Sequence, residues 1–340
     1  MKVVPVEEAL GMVLCHDLTK IIPGEFHGVA FKKGHIISEE DIPKMLDIGK
    51  KNIYVWEMNE GILHENEAGE RMARASAGKG IVFNKPSEGK VNLLAQYKGL
   101  LKINFKALEK INMIDEAMIA TLHTDIVVDK GEVVAATRII PLFIDKFKIE
   151  QIDNICSEEG PIIWVETLKT MKVGIVTTGS EVYSGRIEDK FGSVIKNKIN
   201  EIGSKVIKQI LVSDSEDMIN DAINELLSMG AEMIIVTGGM SVDPDDVTPA
   251  GIKKAGAKII SYGAPVLPGA MFLIAYMGNV PVLGLPGCVM YNKRTIFDLI
   301  LPKILAGEVI KSKDITKLGH GGLCVNCEVC NFPTCSFGKW

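Results

Sequence analysis

Three aspartates and two glycines fall within one short stretch, Thr237 to Ala250 (TGGMSVDPDDVTPA), and these residue types can hold an anion and a cation side by side. The apolar run Ala231 to Val236 leads into Gly238 and Gly239, where a backbone without Cβ atoms can turn sharply and aim N–H groups at a phosphate. Asp243, Asp245 and Asp246 follow, and then Thr248-Pro249, a capping residue and a first-turn proline suited to a helix start. A Gly-rich connection with a solvated acidic turn would look the same in isolation. The neighbouring segments therefore decide how the stretch is read.

Two such segments have the same build. Residues 171–182, MKVGIVTTGSEV, read as a buried strand ending in Thr177-Thr178-Gly179-Ser180-Glu181. Residues 211–230 read as a strand end, a turn at Asp214 and a helix whose Met218, Ile219, Ala222, Ile223, Leu226 and Leu227 form one apolar stripe. From 173 to 261 strand and helix alternate, with strands expected at 173–177, 206–212, 232–237 and 257–261 and helices at 190–202, 215–229 and 248–255. That alternation predicts an α/β fold, a doubly wound, mostly parallel sheet, in which loops at the carboxyl ends of the strands converge on one crevice. A closing helix is expected over 289–305. Residues 259–292 carry no charged side chain, longer than the ~20 apolar residues a membrane span needs. Four prolines and five glycines divide this run, so it reads as two sheet strands, 271–276 and 280–285, joined through Gly278-Asn279.

Taken together, these loops resemble the molybdenum-cofactor biosynthesis domain shared by molybdopterin adenylyltransferases and molybdopterin molybdenumtransferases. Thr237-Gly238-Gly239-x-Ser241 with Asp246 is similar to the TGG-x-S-x4-D motif of the molybdenumtransferases. Asp246-Val247-Thr248-Pro249 is similar to the start of the adenylyltransferase DVTPEA. Thr178-Gly179-Ser180-Glu181 resembles the STGDE loop, and Leu285-Pro286-Gly287 resembles LPG. The resemblance covers roughly residues 170–307.

It implies that Thr178, Gly179, Ser180, Glu181, Thr237, Gly238, Gly239, Ser241, Pro286 and Gly287 bind molybdopterin, and that Asp246 and Asp214 act on it with Mg²⁺. It further implies molybdate or tungstate as co-substrate, a recipient molybdoenzyme as partner, and a homo-oligomer. Insertion of molybdate into molybdopterin is the activity expected; adenylyl transfer, or carriage and sensing of the finished cofactor, are the alternatives. Three departures bear on that choice. Cys288-Val289 stands where Asn-Pro follows LPG, Pro268-Gly269-Ala270-Met271 replaces the lysine-bearing PGKP, and Glu188-Asp189-Lys190-Phe191-Gly192 has Phe in place of the Ser of EDxSG.

The rest of the chain is of another texture. Residues 1–165 predict a mixed α+β, β-rich region with short strands at Val3–Val6, Ala30–Phe31, Ile36–Ile37 and Ile53–Trp56. A short helix capped by Asp41 is expected at Ile42–Ile48, a longer one with an apolar face over Lys90–Asp115, and a hairpin over 126–137 turning at Asp129-Lys130-Gly131. His64 lies in a stretch without HExxH spacing and reads as a surface residue. A linker is expected at Ser157–Pro161, giving domains 1–165 and 166–310 and a tail, 311–340. A formal net charge of −5 leaves no footprint for nucleic acid or an anionic membrane. The opening MKVVPVEEAL lacks the build of a signal peptide, so the cytoplasm is the expected compartment.

Four of the seven cysteines, Cys324, Cys327, Cys330 and Cys335, are spaced C-x2-C-x2-C-x4-C in the tail. In a reducing compartment such thiolates bind metal, either as an iron–sulfur cluster or as zinc, rather than forming a disulfide framework. Cys15 and Cys156 read as small buried apolar residues, and Cys288 falls in the expected crevice.

Overall fold

The computed structural model describes residues 2–22, 25–55 and 61–339. The chain divides into two compact units, one of Met1–Leu94, Ile103–Leu122 and Glu132–Trp164, the other of Ala95–Lys102, His123–Gly131 and Val165–Trp340.

The first unit is β-rich, as its short apolar segments suggest. Lys2–Pro5 pairs antiparallel with Asn52–Val55, and Val4, Leu14, Ile37, Met45 and Ile53 close a small core. Trp56, the last residue of the expected strand, lies outside the described residues. The Asp41–Asp47 helix forms where expected, but Asp41 is its first residue rather than its cap, and its carboxylate accepts from the preceding Ser38 N–H at 3.0 Å. The region 90–115 is not one long helix: Val91–Ala95 and Gly99–Ile103 are strands, and only Phe105–Asn112 is helical, capped by the Asn104 side chain. Val91, Leu93 and Ala95 are buried at every second position, a strand period that the following helix masked in the sequence. The expected 126–137 hairpin also fails. Ile126–Val128 pairs with Gly99–Leu101, both within the second unit, whereas Val133–Ile139 of the first unit pairs with Val91–Leu94 and Ala117–Thr121. Ser157–Glu159, read as linker, are the last turn of a helix, Lys146–Glu159, which Gly160 and Pro161 terminate.

The second unit is built on a six-stranded sheet: β1 (Lys172–Thr178), β2 (Lys205–Val212), β3 (Met233–Thr237), β4 (Lys258–Tyr262), β5 (Leu273–Met277) and β6 (Val280–Leu285). Their spatial order is β2-β1-β3-β6-β5-β4. The pairs β2/β1, β1/β3 and β3/β6 are parallel, and only β5 runs against its neighbours. Helices α1 (Ser180–Tyr183), α2 (Phe191–Glu201), α3 (Glu216–Ser228), α4 (Thr248–Lys254) and α5 (Ile296–Leu305) complete the layers.

Alternation along the strands divides the core in two. Val173, Ile175, Met233 and Ile235 face Ile195 and Ile199 of α2 and Phe297 and Ile300 of α5. Val176, Ile234 and Val236 face Ile219, Ile223 and Leu226 of α3 and Ile252 of α4. Burial on both faces explains the unbroken apolar runs of the central strands. The closing helix starts later than 289. A 3₁₀ turn occupies Gly287–Met290, and α5 begins only at Ile296, fixed by a capping box between Thr295 and Asp298. Among the described residues no helix is long and apolar enough to cross a membrane.

His64 is not a surface residue; it is 5% exposed. Its Nε2 lies 2.9 Å from the Cys15 carbonyl and its Nδ1 accepts from Asn66 N–H at 3.1 Å, capping the Glu65–Ser76 helix, so the ring is neutral with its proton on Nε2. Burial first, then Lys33, push its pKa down to about 4. The unfolded chain takes up a proton below the ordinary histidine value of about 6.5, while the folded ring resists until about 4. Stability from this group is therefore full above that ordinary value and is lost as pH falls through the window. Urea unfolding at pH 7 and pH 5 should show a loss on the order of 1–2 kcal/mol that His64→Gln removes. Identical pH dependence in parent and variant would contradict the assignment.

Candidate active-site crevice at the carboxyl edge of the sheet

The loops after β1, β2, β3 and β6 leave adjacent strands at the same edge, and side chains tie the first three together. Ser180 N–H, at the start of α1, donates to Asp214 Oδ2 at 2.7 Å, and the Ser180 and Ser213 hydroxyls are 2.9 Å apart. Asp214 thus holds the Thr178-Gly179-Ser180-Glu181 loop through an acceptor at a helix start, a favourable place for a carboxylate. Thr178, buried, has its hydroxyl 3.3 Å from that of Thr248. Thr248 in turn donates to the Gly238 carbonyl at 2.8 Å, and its N–H donates to the Gly239 carbonyl at 3.2 Å. Thr237 is fully buried and its hydroxyl contacts that of Thr177 at 3.3 Å, so its side chain serves the sheet rather than the surface.

The two glycines have a role that residue types alone did not disclose. A Cβ on Gly238 would lie 2.3 Å from the Thr178 carbonyl oxygen, and one on Gly239 would lie 2.7 Å from Thr248 Oγ1. Both residues have positive φ, 88° and 54°. The space that glycine leaves is taken by neighbouring protein, which locks the β3 loop onto the β1 loop. Gly287 differs: a Cβ there would have only Phe191 nearby, at 4.0 Å. Pro286 is buried where β6 ends, beside the pairing of Leu285 with Thr237.

Asp246 is half-buried and accepts from Asp243 N–H at 3.0 Å, closing the acidic turn, while Asp243, Asp245, Ser241 and Glu181 are exposed. Asp214 and Asp246 have separate partners. Among the described residues no group of three or more His, Cys, Asp or Glu side chains is placed to hold a metal ion, so the two aspartates do not by themselves assemble a magnesium site.

Two further residues escaped the sequence reading. Tyr262, at the end of β4, donates its hydroxyl to the carbonyls of Met240 at 3.1 Å and Ser241 at 3.3 Å, bracing the loop from the other side. Partial burial, then the Asp246 carboxylate, hold its phenol above the ordinary tyrosine value. Gln209, in β2, joins Thr177 at 3.0 Å to Asp189, whose carboxylate accepts from Phe191 N–H at 2.8 Å at the start of α2. Neither could be found from motif spacing, because both act across the sheet. Cys288 lies just beyond LPG, half-buried, and burial pushes its thiol pKa up.

Residues 174–306 match a family described as a probable molybdopterin binding domain, and residues 3–57 match a domain of unknown function. A molybdopterin adenylyltransferase of Pyrococcus furiosus is 31% identical over 160 residues, which cover 46% of this chain and 94% of that protein. A CinA-like protein of Syntrophus aciditrophicus is 39% identical over 85 residues, 25% of this chain and 20% of its own length. A molybdopterin molybdenumtransferase of Haemophilus influenzae is 29% identical over 147 residues, 41% of this chain and 36% of its own. The chain belongs, through this domain, to the molybdopterin-binding family of molybdenum cofactor biosynthesis. It spans nearly all of the adenylyltransferase but only a fifth to about a third of the other two relatives.

Gly238→Ala should destabilise the second unit by about 1–3 kcal/mol, because the residue combines a left-handed backbone with a carbonyl where its methyl would go. Denaturant unfolding checks this. An unchanged midpoint would show that the two loops are free to separate.

Proposed function

We propose that the carboxyl-edge crevice binds molybdopterin and that the protein inserts molybdate or tungstate into it during cofactor assembly. The observation that supports this most is the linkage of loops 178–181, 213–214 and 237–248 through Asp214, Thr178 and Thr248, which holds them at one sheet edge together with the half-buried Asp246. Molybdopterin carries a phosphate and a dithiolene on a planar pterin. Loop N–H groups with the Ser180 and Ser241 hydroxyls suit its anionic parts.

In the insertion, one Mo–O bond gives way to two Mo–S bonds, and the two thiol protons leave with that oxygen as water. Asp246 is the group proposed to relay a proton at that oxygen, and Asp214 positions the Ser180 loop. Mg²⁺, if it takes part, would need donors from the substrate besides these carboxylates.

A second reading is adenylyl transfer at the same crevice. Asp246-Val247-Thr248-Pro249 opens α4 as the adenylyltransferase-like motif would, and the Pyrococcus relative carrying that name is matched over nearly its whole length. Ala270 stands where the resemblance implies an anion-binding lysine, a difference that favours a carrier without turnover.

Incubation of the full chain with molybdopterin and either molybdate or ATP separates the readings by product. Molybdate-dependent product, lost at least about 100-fold in Asp246→Ala with folding retained, is expected from a group that handles a proton in the reaction. Equal product from variant and parent would refute the role of Asp246. Nucleotide-dependent product alone would move the assignment to adenylyl transfer.

A further inference from the structure

The cysteine-rich tail does not stand apart from the second unit. Leu267 N–H donates to the Gly322 carbonyl and Cys324 N–H to the Leu267 carbonyl, both at 2.8 Å, and Gly338 N–H donates to Gly321 at 2.9 Å. Phe337 is buried in the core shared by β1, β3 and α5, with Phe332, Cys324 and Cys335 packed around it. Lys293 Nζ donates to the Glu328 carbonyl at 3.0 Å, and the Arg294 guanidinium lies 5.3 Å from the centre of the Phe332 ring. The fold therefore holds this segment against residues 291–294, just beyond the LPG turn.

Between them is a cavity of about 250 Å³, and its wall includes all four tail cysteines together with Lys293 and Arg294. All four are free thiols. A single zinc ion requires four ligand atoms about 2–2.3 Å from one point. These cysteines are not so gathered: among the described residues no three or more Cys, His, Asp or Glu side chains make a set for one ion. They line instead one shared space, far larger than the ~10–15 Å³ that a single water needs. A polynuclear body that reaches each sulfur separately suits such a wall.

We infer that Cys324, Cys327, Cys330 and Cys335 bind an iron–sulfur cluster of the four-iron class in this cavity. The C-x2-C-x2-C spacing is that of ferredoxin-type ligation, and Cys335 supplies the fourth thiolate locally. Four thiolates leave such a cluster anionic overall, and Lys293 and Arg294 in the same wall offset that charge. Cys324 is set by its pairing with Leu267, and Cys335 by its N–H bond to the Asn331 carbonyl at 3.2 Å and by the buried Phe337 two residues on. Two of the ligands are thus placed before any cluster arrives. Cluster binding by the tail does not depend on what the carboxyl-edge crevice binds.

The full chain, purified anaerobically or reconstituted with ferrous iron and sulfide, should carry about four iron and about four acid-labile sulfide per chain, with broad visible absorbance that dithionite bleaches. Cys327→Ser, at an exposed position, should keep the parent's melting behaviour before reconstitution and lose most of the iron and sulfide. Cys15→Ser, in the first unit, should retain them. Stoichiometric zinc without sulfide, or no metal after reconstitution, would overturn the assignment, as would full iron retention in Cys327→Ser.

Discussion

The second unit depends on one close approach, that of Gly238 to Thr178. Parallel pairing of β1 with β3 brings the two strand ends level, Thr177 opposite Thr237, and the next residues must then pass within a distance that no Cβ permits. Once they do, Thr248 can reach back to the Gly238 carbonyl, and α4 starts in a fixed place. Asp214 fixes the other flank by receiving Ser180 N–H, and Tyr262 fixes the far side of the β3 loop. The loops are thereby preorganised, so little of their conformational entropy would remain to be lost when a ligand is bound.

This arrangement separates two kinds of residue that a motif treats as one. Thr237, Thr178, Gly238 and Gly239 face protein and set geometry. Ser241, Asp243, Asp245 and Gly287 face outward, and Asp246 lies between the two sets, half-buried with one oxygen committed to its own turn. Replacing a geometry-setting residue should be felt first as lost stability, and replacing an outward one first as lost recognition. The six-stranded sheet beneath tolerates this concentration of loops because it is apolar on both faces, with α2 and α5 covering one and α3 and α4 the other.

Much of the second unit was legible in the sequence. The central strands from 172 to 285 are rich in Val, Ile and Leu, and α3 carries a clear apolar stripe, so period and composition agree. Elsewhere local and tertiary signals part. Val91–Ala95 and Gly99–Ile103 abut a true helix, and only pairing with distant strands selects extended backbone there. His64 is buried because Cys15, far away in the chain, offers its carbonyl. The delayed start of α5 was in principle readable, since Thr295-x-x-Asp298 is a capping pattern inside an apolar run. Of the crevice, residue types and spacing gave the loops and their aspartates. They did not give the bracing by Tyr262 and Gln209, which exists only once β4 and β2 stand in the sheet.

Every role proposed for the carboxyl-edge loops requires that this edge take a pterin. The most direct measurement is anaerobic titration of the ligand-cleared full chain with molybdopterin, followed by oxidation and fluorescence quantification of the pterin that stays bound. Saturable, near-stoichiometric retention that survives deletion of the exposed Cys327 thiol but falls sharply when Asp214 or the outward-facing Ser241 is replaced, with folding retained, is the result predicted. Failure of the folded parent protein to retain any pterin, with both loops intact, would contradict it.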